Sequence, residues 1–200
     1  MIAWSQVNYI WDLLTLLGKT DNLQATFGAG ISGLSYNDGV NPFGWNVGQT
    51  KAKGCFFGES AGKNCVRTLW IEDLWGRAWQ RCQGLILDNG VYKVKDYGPY
   101  PVPTDSSATY SEYLALSTTV PTSNGYVVTA ECGEHGFLPK TVGGSATTYF
   151  CDYFYQNASG VRFALVGAGW HRSGYCGRYL YLGDLSSATF PYFGSRVSKV

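Results

Sequence analysis

Residues 68–94 read TLWIEDLWGRAWQRCQGLILDNGVYKV, and this stretch decides the fold of the 200-residue chain. Its first half is the densest apolar segment, and we expect its tryptophans to be buried in the core: Trp70, Trp75 and Trp79. Its second half has apolar residues on both sides of Asp88-Asn89-Gly90, which predicts a β-hairpin with a tight turn. A sheet built around buried tryptophans is therefore expected.

The remainder of the second half of the chain is predicted to be mainly β-structure. Candidate strands are rich in β-branched and aromatic residues and lie at residues 126–130, 147–153, 161–166, 178–182 and near 196. Residues 22–63, in contrast, are rich in Gly, Asn and Ser without a sustained period, which predicts irregular loop with short strand pieces.

A helix is predicted at the N-terminus, over about residues 3–17. Its apolar residues recur at helical spacing, namely Val7, Ile10, Leu14 and Leu17, with Trp4 and Trp11 seven residues apart. Leu13 and Leu16 widen this stripe, so we expect the helix to be buried against the domain or against another subunit. We therefore divide the chain into a helix that packs or makes an oligomer contact, residues 1–20, and a main domain, residues 21–200.

Composition excludes several classes of protein. The 15 Lys and Arg residues balance 14 Asp and Glu residues, and a net charge of +1 provides no basic footprint for a nucleic-acid backbone. Aromatic residues make up 16% of the chain, too many for an intrinsically disordered protein. No stretch approaches the ~20 consecutive apolar residues that span a membrane. We therefore expect neither nucleic-acid binding nor membrane insertion.

Several short motifs resemble catalytic or cofactor sites but are better explained by local structure. Residues 28–33, GAGISG, satisfy the dinucleotide pattern G-x-G-x-x-G, yet turn residues follow where a helix is required. Cys132-Gly133-Glu134-His135 lacks further metal ligands and is predicted to be a strand end followed by a polar turn. Adjacent Glu72 and Asp73 diverge, and we expect them to be local caps or partners for Arg77. No cofactor and no metal are expected.

The segment from Val161 to the C-terminus carries most of the functional signal. Its middle is dense in Tyr, Phe, Ser, Gly and Arg, a composition typical of antibody paratopes. Rigid aromatic side chains supply contact area at low entropic cost, and Ser and Gly supply adaptable polar contacts. The run Tyr179-Leu180-Tyr181-Leu182 also fits a strand with one buried face, so both interpretations stay open from the residues alone.

Three separated pieces of the chain carry a combined signature. Residues 68–79 read TLWIEDLWGRAW, residues 141–152 read TVGGSATTYFCD, and residues 164–170 read ALVGAGW, followed later by Gly194-Ser195-Arg196. In order, they resemble the core signature GIENFWGNxWxW, the stretch before the variable region, and the frame ALxGGxW…GxR of the variable proteins of diversity-generating retroelements. In particular, the chain is similar to the form met in gut phages and prophages. The resemblance covers about residues 65–200.

This resemblance implies an α+β chain with a C-type lectin fold, of the subgroup related to formylglycine-generating enzymes. It implies a non-enzymatic ligand-binding protein of a virion, on the phage tail, or of a bacterial cell surface, which recognises a host protein or glycan. The variable region would span about residues 167–196, with its varied side chains projecting outward. The expected ligand contacts are His171, Arg172, Ser173, Tyr175, Arg178, Tyr181, Asp184, Thr189, Phe190 and Tyr192. Trp170 is expected to be core.

Residue usage in this segment agrees with the resemblance. Diversification of AAC codons leaves C at the third position, and such codons do not encode Lys, Glu, Gln, Met or Trp. Residues 171–198 contain none of these five types, although the overall composition would give about four. Asn, which an unchanged AAC codon encodes, is also absent from that range.

The chain departs from the family at several points. The Gly-Gly-x-Trp frame reads Gly167-Ala168-Gly169-Trp170, and the WGN of the core signature reads Trp75-Gly76-Arg77. The calcium-dependent sugar motifs of animal C-type lectins are absent from the sequence, so calcium-mediated glycan binding is not implied.

Two other functions stay open from the sequence. One is a thiol oxidase of the formylglycine-generating type, with Cys151 or Cys176 as the thiol, although that family's cysteine pair has no convincing counterpart. The other is a purely structural virion subunit in which the N-terminal helix makes a homo-oligomer. Cys55 and Cys65 could close a loop, but we expect reduced thiols because no export signal is recognised.

Overall fold

The architecture is α+β, as expected, with an N-terminal helix packed on a curled, mostly antiparallel sheet. The computed structural model describes residues 1–31, 50–59, 65–148, 150–172, 175, 177–190 and 192–194. The helices are α1 (Trp4–Gly18) and α2 (Leu23–Phe27), with 3₁₀ turns at Lys51–Lys53 and Ser107–Tyr110. The strands are β1 (Ile2–Ala3), β2 (Arg67–Thr68), β3 (Ile71–Glu72), β4 (Trp79–Asp88), β5 (Val91–Val94), β6 (Leu114–Ala115), β7 (Gly125–Gly133), β8 (Gly136–Gly144), β9 (Tyr153–Gln156), β10 (Val161–Val166), β11 (Leu180–Leu182) and β12 (Phe193–Gly194).

Strand β4 organises the sheet. Within the described ranges, ten strands form one sheet with the order β6–β5–β4–β10–β11–β9–β7–β8, and β1 and β12 also pair with β4. β5 and β10 are antiparallel to β4, whereas β1 and β12 are parallel to it. The first and the last described strands therefore meet on the same central strand. β2 and β3 form a separate hairpin.

The hairpin predicted around residues 88–90 is confirmed. β4 pairs with β5 from Leu85 opposite Val94 to Asp88 opposite Val91. Asn89 and Gly90 form the turn with φ of 48° and 80°. Positive φ at both turn residues is the type I′ geometry, which matches the twist of paired strands and which Asn-Gly adopts at little cost.

Helix α1 begins and ends within about one residue of the prediction. At its start, the backbone N–H of Ala3 donates to the side chain of Gln6 at 3.1 Å. At its end, Lys19 adopts a left-handed conformation with φ of 53°, which stops the helix. One face of α1 is buried in the main core through Trp4, Val7, Trp11 and Leu14. This face packs against the domain, as one of the two expectations held.

The tryptophan core is confirmed except at Trp70. Trp75, Trp79 and Trp170 are buried, and the indole N–H of Trp75 donates to the Gly28 carbonyl at 2.9 Å. The prediction that Trp70 is buried is wrong, because 67% of its surface is exposed. Leu69 and Trp70 form the tight turn between β2 and β3, with φ of 52° and 61°. A residue at the tip of a hairpin points away from the sheet that its neighbours build.

The glycines at positions 28 and 30 allow close backbone packing. Gly28 ends α2, where its N–H donates to Gln24 O at 2.9 Å. A Cβ on Gly30 would lie 2.7 Å from the Trp75 carbonyl oxygen, and one on Gly28 would lie 2.6 Å from the Cα of Gly58. The glycine-rich motif therefore seats two backbone segments against the chain, and this agrees with its local interpretation.

The other strand predictions had mixed outcomes. Residues 126–130 and 161–166 lie in β7 and β10, as predicted, and the strand predicted at 178–182 is reduced to β11. The strand predicted at 147–153 is wrong, because Cys151 N–H donates to Thr148 O at 3.2 Å in a turn and β9 begins only at Tyr153.

Two features of the predicted loop and of the C-terminus need correction or lie elsewhere. Residues 22–63 include α2, which was missed although Asn22 caps it by accepting a hydrogen bond from Ala25 N–H at 3.0 Å. Residues 32–49 and 60–64 of that loop, and the strand predicted near residue 196, lie outside the described residues.

Candidate ligand-binding face

The central strands separate two faces of different chemistry. One row across β4, β10, β11 and β9 consists of Arg81, Leu165, Tyr181 and Tyr155. The adjacent row, on the opposite face, consists of Gln80, Val166, Leu180 and Phe154, all buried. Helix α1 covers this second face, where Val7 and Trp11 lie beside Gln80 and Val166. The first face is left for the loops of the C-terminal segment.

The first face is built mainly of aromatic rings, and we call it the aromatic face: Trp79, Tyr126, Tyr153, Tyr155, Tyr179 and Tyr181. Ring centroids lie 4.7 Å apart for Trp79 and Tyr179, and 5.3 Å apart for Tyr179 and Tyr153. Tyr155 and Tyr181 are stacked at 4.7 Å with their planes 7° apart. Trp79 and Tyr179 are buried, while the four other tyrosines are half-buried. Close aromatic packing of this kind contributes about 0.5–1.5 kcal/mol per pair beyond area burial, so the layer is rigid.

Residues 188–194 form an outer rim beside the aromatic face. Phe190 and Tyr192 are stacked with centroids 5.1 Å apart and planes 7° apart, and Phe190 meets Phe193 edge-on at 5.1 Å. Between this rim and β4 lies an open groove of about 270 Å³. We call it the rim groove, and it is lined by Arg81, Ala188, Thr189, Phe190, Phe193 and Gly194. Phe190 is 38% exposed at its edge.

Two side chains outside the variable segment hold the loop that leads into the rim. Arg81 lies over the Phe193 ring at 5.2 Å and donates to the backbone oxygens of Ser186, at 3.1 Å, and of Ala188. The Asp105 carboxylate accepts hydrogen bonds from Ser186 N–H at 2.6 Å and from the Ser187 hydroxyl at 2.8 Å. These serine bonds lower the pKa of Asp105. The loop backbone is therefore fixed by residues that the segment itself does not supply.

His171 lies between the buried frame and the rim. Its ring meets Trp170 at 5.8 Å and Tyr192 at 4.9 Å, in both cases edge to face. Burial, together with the nearby charge of Arg172, lowers the pKa of His171 to about 4. The imidazole is therefore neutral at physiological pH and acts as one more flat ring of the cluster.

Asp184 supplies a carboxyl group at the edge of the aromatic face. The Tyr181 hydroxyl donates to it at 3.4 Å. Burial raises the pKa of Asp184 and exceeds the lowering effects of Tyr181, Arg162 and Arg81. A half-buried carboxyl group with two arginines nearby offers hydrogen bonds without a strong local field.

The structure places nine of the ten predicted contact residues, and Ser173 lies outside the described residues. Three of the nine are exposed: Arg172, Thr189 and Phe190. Five are half-buried: His171, Tyr175, Tyr181, Asp184 and Tyr192. Tyr175 packs against Tyr153 at 4.6 Å and so belongs to the aromatic layer more than to its surface.

The expectation that Arg178 projects outward is wrong, because only 4% of it is exposed. Its guanidinium donates to the Thr15 hydroxyl, lies 3.8 Å from both Asp12 and Asp21, and sits 5.4 Å above the Phe137 ring. Its backbone N–H donates to Asp152 Oδ1 at 3.1 Å. Arg178 thus ties the C-terminal segment to α1, where a long cationic side chain finds both acceptors and an aromatic surface.

Sequence reasoning missed half of this site. The missed residues are Arg81, Asp105, Tyr126, Tyr153, Tyr155 and Phe193. Tyr153 and Tyr155 carry a signal that could have found them, since tyrosines at alternate positions of a strand share one face. No local signal marks Arg81 or Asp105, because their role depends on contacts across more than about 80 residues of sequence.

The motifs set aside from the sequence have the local roles that were expected. Asp73 and Arg77 form a buried ion pair at 2.8 Å. Residues 132–135 are the end of β7 and the turn into β8, where His135 Nδ1 lies 3.0 Å from Asp96 Oδ2. Cys55 and Cys65 are free thiols. Among the described residues, no group of three or more His, Cys, Asp or Glu is placed to hold a metal ion.

Cys151, one of the two candidate thiols, is not activated. Burial, followed by the charges of Asp152 and Asp21, raises its pKa above the ordinary value. A nucleophilic or oxidisable thiol requires the opposite shift, since the thiolate is the reactive form. Cys176, the other candidate, lies outside the described residues.

No helix in the described part of the chain combines the length and apolar character needed to cross a membrane. No family model, curated protein or solved structure matches the chain.

Proposed function

We propose that this chain is a non-enzymatic recognition protein that binds its ligand at the rim groove and the adjoining edge of the aromatic face. One observation carries the proposal. Exposed or half-exposed aromatic rings surround an open groove of about 270 Å³, and they stand on a layer of buried rings. Rigid aromatic side chains beside arginine are the residues that most often dominate binding energy at interfaces.

The way the rim is held supports the same proposal. Arg81 and Asp105 fix the backbone of residues 186–188, while Thr189 and Phe190 keep their side chains at the surface. Substitutions at exposed positions usually change stability by within about 0.5 kcal/mol. The rim can therefore vary in sequence without loss of the fold, which is what a diversified binding surface requires.

We further propose that the fold is a C-type lectin fold and that a retroelement diversifies the C-terminal segment. The N-terminal helix on a curled antiparallel sheet, the signature pieces and the residue usage of 171–198 support this assignment. The protein would then act on a phage tail or a bacterial surface, and its ligand would be a protein or glycan of the host. Flanking DNA provides the test: we expect a reverse-transcriptase gene and a near-copy of the segment that differs only at adenines. Flanking DNA without them would reject the retroelement.

The binding site is tested with intact cells of a panel of human-gut bacteria as the probe. The full chain, fluorescently labelled, is compared with Thr189→Ala/Phe190→Ala, which removes the outer side chains of the rim groove. The matched control is Val102→Ala, an exposed apolar side chain of a different loop. We expect the wild type and the control to label the same strains, and the rim variant to lose at least about tenfold in affinity. Equal labelling by the rim variant, or no labelling by the wild type, would count against the proposal.

A further inference from the structure

Helix α1 has a second apolar face, on the side away from the sheet. Tyr9 and Leu16 are 71% and 75% exposed, and Leu17 is 52% exposed. At 100° per residue these positions lie opposite Trp11, which is buried in the core. Asp12 is the one charged residue of the fifteen in α1. A helix that is apolar on both sides is normally covered on both sides.

The spacing on this outer face is that of a coiled-coil seam. Gln6, Tyr9, Leu13, Leu16 and Thr20 follow one another at intervals of three, four, three and four residues. Such intervals keep one stripe of a helix facing a partner helix. We call this stripe the α1 seam and define it by Tyr9, Leu13 and Leu16.

We propose that the α1 seam binds the α1 seam of a second copy of this chain, in antiparallel orientation. Charge favours this occupant and this orientation. Asp12 and Lys19 are both exposed and lie on the same flank of the seam, seven residues apart. An antiparallel copy sets each Asp12 against Lys19 of the other copy, whereas a parallel copy sets it against apolar Leu17.

The exposed area fits a reversible dimer. Taking about 200 Å² for a whole Tyr side chain and about 110 Å² for a Leu, the exposed parts of Tyr9, Leu16 and Leu17 amount to roughly 300 Å² per copy. A standard interface buries about 800 Å² per partner, of which the centre is apolar. The seam supplies more than a third of that area before its polar flanks are counted. We therefore expect a dissociation constant on the order of 1–100 µM.

Dimerisation through α1 leaves the rim groove open, because α1 covers the opposite face of the sheet. The dimer would present two grooves to a multivalent surface, which raises the apparent affinity for cells without new contacts. The proposal does not depend on the proposed function, since the purified chain alone would dimerise.

The test is sedimentation equilibrium of the full chain from about 1 to about 500 µM, with a reductant because Cys132 is an exposed free thiol. Leu16→Glu places a charge in the centre of the seam and should raise the dissociation constant at least tenfold. Val102→Glu adds the same charge to an equally exposed apolar position elsewhere and should leave it unchanged.

A second variant keeps the result interpretable if Leu16→Glu lowers the melting temperature. Lys19→Glu removes the proposed cross-pair with Asp12 from outside the helix and should raise the dissociation constant about threefold to tenfold. A wild type that stays monomeric at about 500 µM would overturn the proposal. So would an assembly larger than a dimer, or seam variants that associate as the wild type does.

Discussion

At the scale of single residues, Arg178 is a side chain of the variable segment that serves the scaffold. It is buried, it donates to Thr15 and to the Trp11 carbonyl, and it covers the Phe137 ring. These contacts join the strand that precedes the rim to helix α1 on the opposite side of the sheet. The position therefore cannot vary as the exposed rim residues do.

We predict that Arg178→Ala lowers the free energy of unfolding by about 3 kcal/mol, because buried acceptors lose their donor and a cavity opens beside Phe137. Arg172→Ala is the matched control, since Arg172 is exposed, and it should change stability by within about 0.5 kcal/mol. Urea unfolding followed by tryptophan fluorescence measures both. Equal effects of the two substitutions would place Arg178 at the surface.

Asp152, beside Arg178, makes stability depend on pH. Its carboxyl group is buried, and Oδ2 has no hydrogen-bond partner among the described residues. Burial outweighs the charge of Arg178 and raises the pKa of Asp152 to about 8. Because the folded-state pKa lies above the unfolded value, the contribution of Asp152 is fully present below pH ~4 and is lost as pH rises through about 8.

We predict that Asp152→Asn removes this loss. The difference in unfolding free energy between Asp152→Asn and the wild type should shift in favour of the variant by at least about 1 kcal/mol between pH ~5 and pH ~8. Parallel urea titrations at the two pH values measure it. A difference that does not change with pH would mean that Asp152 is already ionised in the folded protein.

At the scale of elements, the β2–β3 hairpin shows how a turn can override a hydrophobic pattern. Its turn residues, Leu69 and Trp70, both have positive φ, a conformation that costs a non-glycine residue about 1 kcal/mol or more. Trp70 N–H donates to Cys55 O at 3.2 Å, and Arg67 pairs with Phe57 on the other side. The surrounding backbone bonds hold the turn in this form.

Trp70→Gly should therefore raise the free energy of unfolding by about 0.5–1 kcal/mol, because glycine adopts positive φ without cost and the exposed indole contributes little burial. Trp70→Ala is the control that removes the same ring but keeps the unfavourable backbone, and it should not exceed the wild type. Thermal and urea unfolding of the three proteins decide between strain and lost contacts. A Trp70→Gly protein that is less stable than Trp70→Ala would show that the turn is unstrained.

The elements differ in how far they could be predicted from the sequence, and the reason is the range of the interactions. Helix α1 and the β4–β5 hairpin follow from local spacing and an Asn-Gly turn, so both were placed closely. The outward placement of Trp70 and the burial of Arg178 were not foreseen, because each depends on distant backbone or side-chain contacts. In the site, the tyrosines and Phe190 follow from composition, but the anchors Arg81 and Asp105 do not.

At the scale of the whole molecule, the two faces of the central sheet divide the work. α1 and the buried row next to it stabilise the fold from one side, and the aromatic face supports the rim on the other. Because the rim backbone is held by Arg81 and Asp105, its outermost side chains contribute little to stability. The account therefore predicts a sharp difference in tolerance between neighbouring positions of the same segment.

The measurement that tests this claim most directly compares two surface-display libraries by protease resistance. One library randomises the outer positions Arg172, Thr189 and Phe190, and the other randomises the inner positions Trp79, Leu165 and Tyr179. We predict that most members of the outer library stay as resistant as the wild type, within about 0.5 kcal/mol, while nearly all members of the inner library are degraded. Equal losses in the two libraries would contradict the account, because the rim would then be part of the core.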